Sequence, residues 1–265
     1  MADYKTLLVE QQGLALHVTL NRPDKRNAMS LELVEELSAC LAAAADDASI
    51  RAIVLRGAGG HFCAGGDIAD MAKARQLAAS GNDQAYVQFN RRFGQLLEQA
   101  NAQPQVIITL LEGAVLGGGF GLACVSDIAI ATPDAQFGLP ETSLGILPAQ
   151  IAPFVVERIG LTQARRLALT GTRFAGDAAL ALGLVHEVAA QDQLDARLAD
   201  YLTQIKRCAP QANRITKQLL LKVGKQPMSE VLDQAALAFS QAVTGAEGME
   251  GTMAFMQKRK PKWAE

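Results

Sequence analysis

Two glycine clusters, about fifty residues apart, constrain this chain more than any other feature. The first is His61-Phe62-Cys63-Ala64-Gly65-Gly66-Asp67-Ile68. The second is Gly113-Ala114-Val115-Leu116-Gly117-Gly118-Gly119-Phe120-Gly121. Each follows an apolar run of β type and leads into a stretch with helical content. Glycine lets backbone N–H groups approach a ligand closely. Two such turns brought together would aim two N–H donors at one carbonyl oxygen, which is the arrangement of an oxyanion hole.

The pattern around these clusters alternates strand and helix, which argues for an α/β class. Leu14 to Leu20 reads as a strand, with Val18 and Leu20 alternating with His17 and Thr19. Ser30 is placed to cap a helix whose Leu31, Leu33, Val34, Leu37 and Leu41 share one face. Residues 52–55, 106–111 and 128–131 read as short buried strands. Helices are expected over 67–79, 84–100 and 120–124, with a break at Ser80-Gly81-Asn82-Asp83. The second half turns helical, over 162–170, 175–182, 194–206, 209–223 and 228–243.

Composition narrows the classes. A chain of 265 residues can bury one sizeable core with an appendage. The net charge of −2 and pI of about 6.0 offer no electrostatic reason for a nucleic acid or an anionic membrane as partner. Cys40, Cys63, Cys124 and Cys208 are widely spaced with no CxxC pair, so neither a zinc site nor a redox motif is indicated. Reduced thiols, no apparent signal peptide at Met1 to Lys5 and no apolar run of membrane length together point to the cytoplasm.

Several chemistries lack their motifs. No GxxxxGK[ST] phosphate loop, HExxH helix or GxSxG elbow is present. His17 and His186 read as structural, and His61 reads as a solvated loop residue, so a Ser-His-Asp triad has poor support.

The glycine clusters resemble those of the crotonase family, the enoyl-CoA hydratases and isomerases. The match also covers Val18-Thr19-Leu20-Asn21-Arg22-Pro23, Ser126-Asp127, Phe137-Gly138-Leu139-Pro140-Glu141 and the tail Lys258-Arg259-Lys260. The resemblance implies a crotonase-like spiral of ββα turns over residues 1–200 and a C-terminal helical oligomerisation region over 201–265. It implies trimers or pairs of trimers, with an acyl-CoA as substrate and no cofactor or metal beyond its CoA moiety. Gly66 and Gly118 fall where the family places its oxyanion N–H donors. Glu141 falls on one of the two catalytic glutamates. At the other position this chain has Gly121, where no side chain can act.

A further departure follows. Family hydratases carry a Pro-Gly-x-Gly-Gly run where this chain reads Pro148-Ala149-Gln150-Ile151-Ala152-Pro153-Phe154-Val155-Val156. Gly121 and this run together resemble the bacterial methylglutaconyl-CoA and isohexenylglutaconyl-CoA hydratases, which act in leucine and acyclic terpene breakdown. Ile151, Ala152, Phe154 and Val155 would then line a tail pocket, with room left by Gly121. The resemblance assigns CoA contacts to Lys25, Arg26, Ala28, Ala64, Asp67 and Ile68, with Phe239 and Lys258 reaching the nucleotide from a neighbouring subunit. Two rivals remain: an isomerase, which needs a single acid/base, and a non-catalytic RNA-binding homologue, against which the acidic balance speaks.

Overall fold

A computed structural model describes residues 3–82 and 84–265. Met1, Ala2 and Asp83, the last residue of the expected break, lie outside it. The chain divides into two compact units, Met1–Arg197 and Leu198–Glu265.

The first unit opens with an antiparallel hairpin, β1 (Leu7–Gln12) and β2 (Ala15–Leu20), turning at Gly13. Helix α1 (Leu31–Ala45) follows, and Ser30 caps it as expected by accepting the Leu33 N–H at 3.2 Å. Its buried stripe is Leu33, Val34, Leu37 and Leu41. Next come β3 (Ala52–Gly57), α2 (Ile68–Ala79) and α3 (Ala85–Asn101). The chain then runs twice through strand, strand, helix. The first turn is β4 (Val106–Leu111), β5 (Ala114–Leu116) and α4 (Gly118–Val125). The second is β6 (Ile128–Ala131), β7 (Gln136–Gly138) and α5 (Ala152–Thr170). Helix α6 (Gly176–Ala181) and β8 (Glu187–Val188) close the unit, and α7 (Leu194–Arg207) carries the chain across its boundary.

In each ββα turn the first strand joins a large sheet and the second a small one. The large sheet has the order β1-β2-β3-β4-β6-β8, and all its pairings after the hairpin are parallel. Its register aligns Val18, Leu55, Thr109 and Ala129 in one row across four strands. The central strands are buried on both faces, as parallel strands covered by helices must be. The small sheet pairs β5 with β7 in parallel, and a bridge from Cys63 to Val115 brings the first glycine cluster to its edge. Helix α4 is buried almost all round, and Phe120 anchors it against Phe137 and Phe174, at ring distances of 6.4 and 6.2 Å.

Helix α5 begins ten residues before the expected start at 162. Pro153 sits in the first helical turn, where its missing N–H costs nothing. Gly160, at φ 75° and ψ 157°, then kinks the helix without ending it.

The second unit is helical, with α8 (Pro210–Leu220), α9 (Met228–Thr244) and α10 (Ala246–Met256). Glu247 at the start of α10 accepts the Gln211 and Ala212 N–H groups in the first turn of α8. Trp263 donates its indole N–H to the Arg207 carbonyl at 3.1 Å. No helix among the described residues is long and apolar enough to cross a membrane.

Candidate active site

The two glycine clusters meet backbone to backbone. Cys63 donates its N–H to the Ala114 carbonyl at 2.8 Å, and Leu116 returns one to Cys63 at 2.9 Å. A Cβ on Gly65 would stand 3.5 Å from the Leu116 carbonyl oxygen, and one on Gly119 would strike the Cys63 backbone at 2.7 Å. The close approach requires glycine at 119, while at 65 it is the backbone, at φ 103°, that favours glycine. Gly117 adopts φ 48° and ψ −112°, a conformation that side chains avoid, and turns β5 into α4.

Gly66 and Gly118 both line one cavity of about 140 Å³. Neither N–H finds a protein acceptor among the described residues. Gly118 is the first residue of α4, where N–H groups are left over by the helix itself and carry its positive end. The neighbouring N–H groups are occupied: Gly117 donates to Gly138 at 3.1 Å, and Gly65 points at the Cys63 sulfur at 3.4 Å. Burial pushes the Cys63 thiol up to about 12.

Glu141 opens the 3₁₀ turn after β7 and lines the same cavity. The turn is clamped: Gly145 and Ile146 donate to the Glu141 carbonyl, Ser143 Oγ donates to Pro140 and Thr142 Oγ1 donates to Ala168. The Glu141 carboxyl has only its own backbone N–H for help. Its Oε2 is buried and lacks a hydrogen-bond partner among the described residues. Burial raises its pKa above the ordinary value. Glu141 is not the solvated surface residue that a glutamate after proline usually is. It is a carboxyl held in a largely apolar wall with two unclaimed N–H donors in the same cavity, an arrangement suited to proton transfer.

The rest of the wall is mostly apolar, with Met29, Val34, Met71, Phe93, Ile146, Leu147 and Ile151 beside the polar Ser30, Asn90 and Gln150, and Glu141 is its one charged member among the described residues. Of the tail-pocket residues expected from sequence, only Ile151 lines this cavity. Phe154 and Val155 pack into the core, and Ala152 lies outside the lining. Gly121 leaves no room: a Cβ there would stand 2.5 Å from Ile151 Cγ2. The volume that a larger residue would need at 121 is already filled by Ile151.

The expected CoA-binding residues of the first unit form one patch. Ala64 donates to the Arg26 carbonyl, Met29 to Gly65 and Asp67 to Met29, at 3.0, 2.8 and 3.0 Å. These bonds fasten the loop carrying Lys25, Arg26 and Ala28 to the turn carrying Ala64, Asp67 and Ile68. Arg22, which no motif reading singled out for a role, ties the two together by donating to the Ala28 carbonyl and to Asp67 Oδ2, the latter at 2.7 Å. Asp67 also caps α2 through the Ala69 N–H. Burial pushes the Asp67 carboxyl up, but Arg22 and the backbone N–H groups outweigh it and hold the group low. Ile68 is 76% exposed beside them. Phe239 and Lys258 lie in the second unit, both on its surface.

The histidines are structural. His61 is not merely solvated, since its Nδ1 accepts the Ala114 N–H at 3.1 Å. His186 Nδ1 accepts the Ala129 N–H at 3.0 Å, and burial lowers the pKa of both His186 and His17. Asp127 holds the core by accepting the Ile107 N–H at 2.7 Å. Asn90 and Gln150 form a hydrogen-bonded pair in the cavity wall; Asn90 belongs to no motif, and Gln150 lies in the run from Pro148 to Val156 without having been given a role.

Comparison with known proteins agrees with this geometry. The enoyl-CoA hydratase/isomerase family profile matches residues 10–265. The solved structure of Pseudomonas aeruginosa AtuE is 64% identical, covering 98% of this chain and 100% of that one at a TM-score of 0.95. An enoyl-CoA hydratase/isomerase from Marinobacter aquaeolei is 59% identical over 98% of this chain and 100% of its own, also at 0.95. A 2,3-dehydroadipyl-CoA hydratase of Escherichia coli is 33% identical over 96% of this chain and 97% of its own length. The fold is therefore the crotonase fold with C-terminal helices, and the chain belongs to the enoyl-CoA hydratase/isomerase family.

Proposed function

We propose that this chain hydrates a carboxylated, branched enoyl-CoA thioester to the 3-hydroxyacyl-CoA. Isohexenylglutaconyl-CoA, from acyclic terpene breakdown, is favoured over methylglutaconyl-CoA, from leucine breakdown. The observation that carries hydration is the half-buried Glu141 carboxyl, whose Oε2 is buried and unpartnered, in one cavity with the unclaimed Gly66 and Gly118 N–H groups. In this reading the thioester oxygen sits between those two donors. Glu141 takes a proton from water as the oxygen bonds to the β-carbon, and charge develops as an enolate on the thioester oxygen. Donors preset for that charge stabilise the transition state more than the substrate. A proton then reaches the α-carbon from the same carboxyl, which completes the addition of water.

The long apolar wall supports an aliphatic tail. The single acid/base and the similarity to a hydratase named for a dicarboxylic acyl-CoA support a carboxylated substrate. The substrate's own carboxylate, or a water held by it, would take over part of the role of the acid missing at Gly121. Comparing kcat/KM for isohexenylglutaconyl-CoA, methylglutaconyl-CoA and crotonyl-CoA tests this. The carboxylated branched thioesters are expected to exceed crotonyl-CoA by at least about tenfold, or roughly 1.4 kcal/mol. Equal or better use of crotonyl-CoA overturns the substrate assignment. An isomerase would also run on one acid/base, and oxygen-18 from labelled water entering the product separates the two reactions.

A further inference from the structure

Helix α3 carries a buried glycine, Gly94, in its interior. Glycine there destabilises a helix relative to alanine, so a residue with no side chain calls for a reason. The reason is Gln150. A Cβ on Gly94 would lie 1.9 Å from Gln150 Oε1 and 2.8 Å from its Cδ. The Gln150 amide therefore occupies the notch that Gly94 leaves. One helical turn earlier, Asn90 Oδ1 accepts the Gln150 Nε2–H at 2.8 Å. Gln150 is thus fixed from two sides, by a notch and by a hydrogen bond. Both Gln150 and Asn90 line the cavity that holds Glu141, Gly66 and Gly118.

The polarity of the pair follows from that bond. Asn90 spends its oxygen as acceptor, which leaves its two N–H groups and the second Gln150 N–H unclaimed among the described residues. An ionised carboxylate is acceptor-only. The cavity lining holds no cation among the described residues; Arg91, whose Nη1 would lie 2.7 Å from a Cβ on Gly94, stands outside it and pairs with Glu98. Preset neutral donors are then what the wall can present to a negative group.

We infer that Asn90 and Gln150, seated by Gly94, are specificity-determining residues that read a carboxylate carried on the acyl group. This rests on the proposed carboxylated substrate and names the residues that would recognise it. The chemistry read is that of a carboxylate one acyl branch away from the thioester, not the thioester itself.

The test measures the ratio of kcat/KM for methylglutaconyl-CoA to that for crotonyl-CoA in the wild type, Gln150→Leu, Gln150→Glu and Gly94→Ala. Thermal unfolding of each variant confirms a folded protein. Gln150→Leu is expected to lower the ratio at least tenfold, and Gln150→Glu to lower it further through repulsion. Gly94→Ala should lower it in the same direction by displacing Gln150, although position 94 is absent from the cavity wall. A wild type that prefers methylglutaconyl-CoA, with the ratio unchanged in Gln150→Leu and Gln150→Glu, overturns this inference and leaves the substrate reading intact. A wild type that prefers crotonyl-CoA overturns both.

Discussion

Glu141 Oε1 lies 2.8 Å from the point at which a Cβ on Gly117 would stand. The first residue of the triple glycine and the proposed acid/base carboxyl thus share one small volume. Gly117 is needed twice, once for its positive φ and once for the space in front of Glu141.

Gly117→Ala is therefore expected to act on chemistry as well as on folding. Forcing a side chain into that backbone region costs about 1–3 kcal/mol, and the new methyl pushes the carboxyl from its position. Turnover should fall at least tenfold with a lowered melting temperature. A variant that is less stable yet turns over at the wild-type rate would show that the contact with Glu141 is idle.

Glu141→Gln keeps the shape and removes the proton chemistry. Turnover should fall by about 10²–10⁴-fold, with the affinity for CoA thioester little changed. Turnover within threefold of wild type would remove Glu141 from the acid/base role. Stability should move the other way. Burial raises this carboxyl above 4.5, so the folded protein favours its protonated form. Its contribution to stability is fully present below pH 4.5 and is lost as pH rises through the raised folded value. Glutamine suffers no such loss. At pH 7 Glu141→Gln should melt above the wild type, and the gap should close toward pH 4.

Gly121 and Ile151 should behave as one unit. Gly121→Ala overpacks against Ile151 Cγ2 and is expected to cost about 1–3 kcal/mol. Adding Ile151→Ala makes room for the new methyl. The double variant should then be more stable than the sum of the single effects by about 0.5–3 kcal/mol, read from denaturant unfolding. Strict additivity would mean that the two sites do not touch.

The second unit exposes Leu232, Leu237, Phe239 and Phe255 at 61, 62, 72 and 86%. Apolar surface of this extent is expected to be covered between copies of the chain. Sedimentation should give a trimer or a hexamer, and a fully active monomer at micromolar concentration would refute it. Removing residues 258–265 should weaken CoA binding, in keeping with the proposed contact from Lys258 of a neighbouring subunit.

Much of the scaffold is legible in the sequence where local signals agree. Strands β4 and β6 appear with the expected ends because turn residues bound each apolar run. The cap at Ser30 is a local hydrogen bond and reads directly from residue type. Strands β5 and β7 have three residues each, too few for a period to show. Helix α10 follows α9 across Gly245 alone and carries Gly248 and Gly251, so composition gives it no clear start. Glu141 is singled out by a motif as the proposed acid/base, but its orphaned oxygen is a property of neighbours far away in the chain. The tail-pocket expectation went astray for a similar reason. A glycine in sequence implies space, whereas Ile151, thirty positions on, had already filled it.

The buried sulfur behind the glycine turns has a consequence for an enzyme that handles acyl thioesters. A thiolate beside such a substrate could capture the acyl group, releasing CoA and leaving the protein self-acylated. Cys63 is three residues from Gly66, yet burial pushes its pKa far up and keeps it a thiol at neutral pH. The closed packing that holds the loop also keeps a potential suicide nucleophile protonated and out of reach.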